Sequence, residues 1–292
     1  MARYIDFIGF QFNGKHSSDM GVLRVSDGSR YNDGLVPDFS DVTEQVPGGD
    51  GTYYWDSFYS SKPIPVDIAY DNLTEKQFRD LRSWLTAKAM GQLIFDETPY
   101  KYYMAKISGA PQWKYICFNE NGKRIYKGEG SISFICYFPY AKNTIRFFSQ
   151  ATGDQFANKA EWQETANLPA SGTYPLSGGS IAFNNCGDLP TDFKAYYAVD
   201  STSFNLTVRY DATHTLTING ITAKGSDTHI MVNSRTHLIH GGSYSNGVFT
   251  ESGNLYNELI TTGDFFKLPL GTGTFVSTGK TCVALEYDYL YY

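Results

Sequence analysis

Two loops in this sequence have the composition of anion- or cation-binding sites. Gly271–Thr281, GTGTFVSTGKT, resembles a phosphate-binding loop, but Thr274 stands where that motif has its first glycine. A phosphate loop also needs a following helix whose N-terminus faces the anion, and the next residues, CVALEYDYLYY, are typical of a strand. DGSRYNDG at 27–34 is acidic, but the sixth and twelfth positions of a calcium loop would be Asn32 and Asp38 instead of Gly and Glu. We predict neither site.

The histidines do not predict a metal centre. His237 and His240 are three residues apart, and on a strand this spacing places them on opposite faces. His229 is a possible third ligand, but no Cys or paired carboxylate lies near it in the sequence. Surface or hydrogen-bonded histidines are the favoured interpretation over a metal site of the usual ligand pattern, and we expect no metal and no cofactor.

The carboxylates give no catalytic signature. Asp96 and Glu97 are adjacent and would point apart on a strand, whereas the two carboxylates of a glycosidase face the same sugar. No GxSxG motif and no local triad signature is present. A glycoside hydrolase with carboxylates from distant strands remains the last-ranked hypothesis, and we expect no enzyme.

A cluster of aromatic residues is the strongest candidate for molecular recognition. Tyr53, Tyr54, Trp55, Phe58 and Tyr59 lie within one segment. They could stack on sugars, or they could fill a β core or a subunit interface. We favour core or interface, because aromatic side chains dominate burial in both.

Composition limits the possible partners. The formal net charge is -6 and the pI is about 5.4, whereas proteins that grip nucleic acid usually carry a basic face. We recognise no signal peptide and no apolar run long enough to span a membrane. Four dispersed cysteines form no CxxC pair, which favours small buried hydrophobic residues over disulfides or metal ligands.

One helix is predicted, at about residues 72–90. Thr74 and Gln77 form a capping box, and Phe78, Leu81 and Leu85 recur on one face, with Ala89 extending the stripe. Gly91 is the predicted stop. The remaining sequence is aromatic, β-branched and rich in turn residues, so the fold class is mainly β, with one helix lying on a sheet.

The sequence predicts two domains. Residues 1–140 contain predicted strands, hairpin turns at Asn13-Gly14 and Asn121-Gly122, and the helix. Residues 141–176 lack a sustained period and are predicted to be a linker. Residues 177–292 carry turn signals every 8 to 15 residues or so without a helical period, which indicates an antiparallel sandwich.

The order of these parts resembles the distal tail protein of long, flexible-tailed phages. The resemblance starts with FxFNGxxSSDMGV at Phe10–Val22 and the PGGDG turn at Pro47–Gly51. It continues in the second half of the chain, in the segments Asn184–Val199, Ile221–Gly242 and Thr261–Phe275. Gly49 stands where the family's turn has a basic residue before the Asp, so the resemblance assigns this turn no ionic role.

The resemblance implies a structural protein of the virion. Its N-terminal domain is expected to be a β-sandwich with one helix, and its C-terminal domain a galectin-like β-sandwich. The N-terminal domains are expected to form a hexameric ring, assembled in the host bacterial cytoplasm, that joins the tail tube to the tail-tip hub with its tail-associated lysin and often to receptor-binding proteins. The alternative is a carbohydrate-binding adhesin module.

A ring of this kind would need a contact between neighbouring subunits or with the tail tube, and DNA would pass through its centre. Gly-rich turns permit close backbone approach, so the candidate subunit or tube contact loop is Pro47, Gly48, Gly49, Asp50 and Gly51. DNA is expected to pass through an acidic ring without being bound specifically, because a basic lumen would retain phosphate.

Overall fold

The structure is a computed structural model, and it describes the residues 9–25, 37–48, 50–86, 88–143, 147–150, 155–157, 171–173, 176–177, 180–199, 203–222, 225–245, 248–255 and 260–292. The start of the predicted first strand, the acidic loop at 27–34, Gly49 and most of the predicted linker lie outside these residues. The chain divides into two compact units, residues 1–144 with Tyr292, and residues 145–291. The predicted domain bounds at 140 and 177 stay a prediction.

The described strands of the first unit are β1 Phe10–Phe12, β2 Lys15–His16, β3 Val22–Arg24, β4 Phe39–Gln45, β5 Thr52–Tyr59, β6 Lys62–Thr74, β7 Gly91–Phe95, β8 Lys101–Glu120, β9 Lys123–Cys136 and β10 Ala141–Asn143. A 3-10 turn, Ser18–Met20, precedes β3. The unit is built on one antiparallel sheet in the order β2-β1-β7-β8-β9-β6-β3, with β10 paired to β8.

The sheet of the first unit curls so that its two halves face each other. The rings of Phe10 and Phe12 lie 5.9 and 5.0 Å from the ring of Phe134. Because β1 and β9 are three places apart in the sheet order, these rings can meet only across the interior. Trp84 of the helix stacks on Phe10 at 5.7 Å, and its indole N–H donates to the Phe12 carbonyl at 3.0 Å. The mainly β class with a single helix is confirmed.

The helix, α1, spans Glu75–Leu85 and is the only α-helix among the described residues. Its capping box is confirmed: the Gln77 backbone N–H donates to Thr74 Oγ1, and the Thr74 backbone N–H donates to Gln77 Oε1. The predicted apolar face is confirmed at Phe78, Leu81 and Leu85, which are buried together with Trp84. Its predicted extension to Ala89 is wrong, because Ala89 lies beyond the helix and is exposed.

The predicted span of about 72–90 is longer than the helix at both ends, although the predicted cap residue Thr74 is confirmed. At the start, Asn72 has φ +56° and lies at a register shift between β6 and β9, so the segment before Thr74 continues the sheet. At the end, Thr86 Oγ1 donates to the Arg82 carbonyl at 2.9 Å, which satisfies a terminal carbonyl. Gly91 begins β7 opposite Ala105; a Cβ there would lie 3.0 Å from the Cβ of Asn13, so the glycine serves close packing.

The second unit contains two six-stranded antiparallel sheets, β11-β24-β16-β19-β20-β21 and β14-β15-β23-β17-β18-β22, with β12 and β13 paired separately. The strands are β11 Phe147–Gln150, β12 Gln155–Ala157, β13 Ser171–Thr173, β14 Leu176–Ser177, β15 Ser180–Asn185, β16 Phe193–Ala198, β17 Phe204–Arg209, β18 Thr215–Ile221, β19 His229–Asn233, β20 Leu238–Ser245, β21 Val248–Asn254, β22 Ile260–Gly263, β23 Gly271–Thr278, β24 Cys282–Tyr287 and β25 Leu290–Tyr291.

The two large sheets of the second unit pack face to face. The Tyr197 hydroxyl of β16 lies 2.9 Å from Ser277 Oγ of β23, and the ring of Phe193 lies 5.0 Å from that of Phe275. These four residues belong to different sheets, so their side chains fill the space between them. The predicted antiparallel sandwich is confirmed.

Candidate interaction surface

The aromatic segment singled out in the sequence forms half of a projecting hairpin. Strands β4 and β5 pair from Phe39 opposite Tyr59 to Gln45 opposite Thr52, with a bulge after Val42. They form a two-stranded sheet that pairs with no other strand of the described chain. We call residues 39–59 the aromatic arm. Strand β4 was missed in the sequence, because FSDVTEQ has no clear alternation and follows a polar loop.

Every residue of the two arm strands is exposed. Trp55 is the extra residue of the bulge. Side chains otherwise alternate along a strand, so Tyr53 and Phe58 point to one face of the hairpin while Tyr54 and Ser57 point to the other. Trp55 is 66% exposed and Phe58 is 56% exposed. The core half of the sequence prediction is therefore wrong for these four aromatic side chains. Tyr59, at the base of the arm, packs edge-on against Tyr140 at 5.8 Å.

An arm of this kind needs a partner surface. An isolated two-stranded hairpin is marginally stable in water, and large exposed apolar patches mark interaction sites. Polar contacts hold the arm's own shape: the Tyr54 hydroxyl lies 2.8 Å from Ser57 Oγ, and Ser57 Oγ donates to the carboxylate of Asp41. The arm carries no Lys or Arg and four acidic residues, Asp41, Glu44, Asp50 and Asp56.

The predicted contact loop lies at the tip of the arm. Gly48 and Gly51 have φ values of +76° and +101°, a region that favours glycine, and open space surrounds both positions. Pro47 and Asp50 flank them, and Gly49 lies outside the described residues. The contact role of Pro47–Gly51 stays a prediction.

A second exposed apolar area lies on the β8–β9 hairpin. Ile116 is 70% exposed, and it borders a groove of about 550 Å³. The groove is also lined by Leu23, by Ala69 and by two ion pairs, Lys114–Glu129 at 3.7 Å and Lys127–Asp71 at 3.3 Å. We call this the sheet groove. It presents an apolar floor with charges of both signs.

The residues considered for chemistry do not assemble into a site. Asp96 follows the end of β7 and accepts hydrogen bonds from the Gly9 backbone N–H at 2.8 Å, with His16 Nε2 3.0 Å away. Glu97 pairs with Arg24 Nη1 at 2.8 Å. The two carboxylates therefore bind different partners, and each of these contacts links the turn after β7 to the N-terminal strands.

The remaining candidates have structural roles. Gly271–Thr278 is strand β23 and the next element is strand β24, so the phosphate-like loop is followed by no helix. His237 lies in a turn at φ +56° and stacks on Phe265 at 5.0 Å. His240 lies on β20, 3.4 Å from Glu251. Among the described residues, no three or more His, Cys, Asp or Glu side chains are grouped so that they could hold a metal ion.

The prediction that the cysteines are small buried residues holds for two of the four. Cys136 and Cys282 are buried, Cys186 is half-buried and Cys117 is exposed, and all four are free thiols. Cys117 departs from the prediction because its strand belongs to the exposed hairpin. Within the described chain, no helix has both the length and the apolar character needed to cross a membrane.

Comparisons with known proteins agree with the resemblance found in the sequence. Residues 18–136 match the family model of the phage tail protein RIFT-related domain. Among solved structures, the Dit protein of phage SPP1, described as a paradigm of the hub adsorption apparatus in phages infecting Gram-positive bacteria, has a TM-score of 0.57. It is 13% identical, over 98% of this chain and 99% of that chain. A chain of the phage P2 baseplate in its activated conformation has a TM-score of 0.46 at 8% identity, over 97% and 98% of the two chains. The comparison with curated proteins found no match.

Proposed function

We propose that this chain, whose residues 18–136 carry a phage tail protein domain, is a structural protein of the tail tip that assembles into a ring with copies of itself. The fold it shares with the Dit protein of phage SPP1 supports this role over that of a free carbohydrate-binding adhesin. We propose no enzymatic activity, and we place the protein in the virion, with assembly in the host cytoplasm.

The observation that carries the proposal is the exposed aromatic arm. Its strands expose every residue, and burying such a surface is the main source of interface stability. A ring closes through head-to-tail contacts, which need two different surfaces on each copy. The sheet groove supplies a second apolar surface, to which Leu23 and Ile116 contribute exposed side chains.

The finer parts of the proposal follow the resemblance. The ring is hexameric, its neighbours are the tail tube protein and the tail-tip hub protein with its lysin, and receptor-binding proteins attach to it. The loop Pro47–Gly51 at the tip of the arm contacts a neighbouring subunit or the tube. The second unit is galectin-like, and DNA passes through the ring without specific binding.

The test is the mass of the protein in solution, followed by negative-stain imaging of the same fraction. We expect a ring of about six subunits, alone or after addition of the tail tube protein. Substituting Trp55→Ser together with Phe58→Ser should abolish the ring and leave a folded monomer, because substitutions of exposed residues usually change unfolding free energy by less than about 0.5 kcal/mol.

Tyr137→Ser is the matched control. Tyr137 is 58% exposed and lies outside the arm, so this variant should assemble as the unchanged chain does. A chain that stays monomeric with and without the tube protein would overturn the proposal. So would arm variants that assemble normally.

A further inference from the structure

The second unit has an aromatic cluster on the side of a sheet that faces away from the sandwich interior. On β16, Phe193 and Tyr197 point inward, so Lys194 and Tyr196 point outward. Tyr196 lies opposite Met231 on one side and Ala284 on the other. We call this side of the sheet, formed by β24, β16, β19, β20 and β21, the outer face.

The outer face contains a small cavity with an apolar floor. The cavity has a volume of about 210 Å³. Tyr196 and Met231 are almost fully buried beneath it, and the half-buried ring of Phe249 forms a wall, with its centroid 5.5 Å from that of Tyr196. Tyr244 packs on Tyr196 at 4.7 Å, which holds the floor in place.

The polar side chains that line the cavity include Lys194 and Glu251, and each of these is paired with a residue next to the cavity. Lys194 Nζ lies 3.7 Å from Glu286 Oε1, and the Tyr196 hydroxyl donates to Glu286 Oε2 at 2.7 Å. On the opposite side, Glu251 lies 3.4 Å from His240 Nδ1. Asn233 also lines the cavity. The rim therefore combines ammonium, amide and carboxylate groups within one small opening.

We propose that this cavity binds one ring of a neutral saccharide. A sugar hydroxyl both donates and accepts hydrogen bonds, so it suits a rim that offers donors beside acceptors. The C–H face of a sugar ring is apolar and can pack against Phe249, because aromatic rings supply apolar contact area. This inference goes beyond the ring-forming role and does not depend on it.

The size and charge of the cavity favour this class of ligand. Drug-sized ligands occupy pockets of about 300–1,000 Å³, so a cavity of about 210 Å³ suits a single small ring. Lys194 is neutralised by Glu286, and Glu251 adds a negative charge, so an anionic ligand would be repelled. A peptide strand would add to the edge of β21, whereas the cavity lies on the sheet face.

Met231 provides a direct reporter for the test. The chain contains five methionines, so methyl NMR of the full chain labelled at its methionine methyl groups gives few signals, and Met231→Leu assigns the one in the cavity. The probes are methyl glycosides of glucose, galactose, rhamnose and N-acetylglucosamine. We expect at least one to shift the Met231 signal saturably, with a millimolar Kd, while Met20 and Met104 do not move.

Variants connect the shift to the cavity. Phe249→Ala removes the wall and Glu286→Gln removes the charge that orients Lys194 and Tyr196, and each should weaken binding about tenfold, equivalent to about 1.4 kcal/mol. Phe265→Ala and Lys267→Met change side chains of similar type elsewhere in the unit and should bind as the unchanged chain does.

Three results would overturn the proposal. One is that no glycoside shifts Met231 at the highest soluble concentration. Another is that the cavity variants bind as well as the controls. The third is that a tail protein, added without sugar, shifts Met231 and the glycosides do not, which would identify the cavity as a protein-docking site.

Discussion

The ring of Phe78 on α1 lies parallel to the ring of Tyr126 on β9, with centroids 4.6 Å apart and planes 7° apart. Trp113 meets Phe78 edge-on at 6.0 Å, and Tyr70 and Tyr115 lie 5.6 and 5.4 Å away. The helix is thus fastened to the long β8–β9 hairpin by one side chain surrounded by aromatic rings. Because the hairpin also carries the sheet groove, this contact couples the helix to a proposed assembly surface.

Phe78→Ala is expected to lower the unfolding free energy of the chain by about 3–5 kcal/mol, the usual range for a buried Phe. Phe78 is 6% exposed, and removing its ring would leave a cavity among the four rings around it. Urea unfolding followed by tryptophan fluorescence would measure the change, with Tyr137→Ser as the surface control. A loss below about 1 kcal/mol would show that the helix does not depend on this contact.

Thr74→Ala is expected to destabilise the protein by about 1 kcal/mol, because it removes the side-chain half of the capping box. The backbone N–H of Gln77 would lose the Thr74 Oγ1 acceptor. Thr74→Ser keeps the oxygen and should retain most of the stability. The difference in urea midpoint between the two variants measures how much the capping hydrogen bond stabilises the protein. Equal midpoints would show that this hydrogen bond does not contribute.

The four thiols are expected to react at different rates. Burial raises the pKa of the thiols of Cys136 and Cys282 to about 12, and burial also raises the pKa of Cys186. Since the thiolate is the reactive form, Cys117 should react first with a disulfide reagent at pH 8, Cys186 should react slowly, and the other two only after unfolding. Cys117→Ser should remove the fast phase alone; a fast phase that persists in this variant would refute the assignment.

Asp211 is expected to make the second unit sensitive to acid. Burial raises the pKa of its carboxyl, but hydrogen bonds from the backbone and side chains of His214 and Thr213 outweigh this and lower it to about 2 from the usual 3.8. The His214 and Thr213 backbone N–H groups donate to Asp211 Oδ1 at 2.7 and 2.8 Å. Because the folded-state pKa is depressed, the stabilisation is fully present above the unfolded pKa near 3.8 and is lost as pH falls through about 2.

Asp211→Asn keeps an oxygen acceptor but cannot ionise, so it isolates this effect. The difference in Tm between the unchanged chain and this variant should be largest above pH 4 and should shrink towards pH 2, while other carboxylates contribute equally to both. A difference that stays constant across this range would show that the charge of Asp211 contributes nothing.

Local features of this protein could be predicted because they depend on a few neighbouring residues. The capping box needs only Thr74 and Gln77. The Asn13-Gly14 and Asn121-Gly122 turns have positive φ at both residues, which these residue types tolerate at little energetic cost. In β9, the alternation of apolar Ile132, Phe134 and Cys136 with other residues in the sequence matches the alternation of buried and half-buried positions. The residues that flank the helix were not predicted correctly, because the bulge at Asn72 and the pairing of Gly91 with Ala105 depend on distant strands.

The tertiary structure alone decided which aromatic residues are covered. Tyr53, Trp55 and Phe58 are large aromatic residues, as Phe10 and Phe134 are, and the sequence left core and interface both open for them. The difference arises because β1 and β9 face each other across a curled sheet, whereas β4 and β5 pair only with each other. The cavity above Met231 likewise depends on the side-by-side placement of strands far apart in the chain. The sequence by itself therefore determined local features such as the helix cap and the hairpin turns. Long-range strand pairing determined which surfaces remain exposed, because the burial of a side chain depends on what lies opposite it.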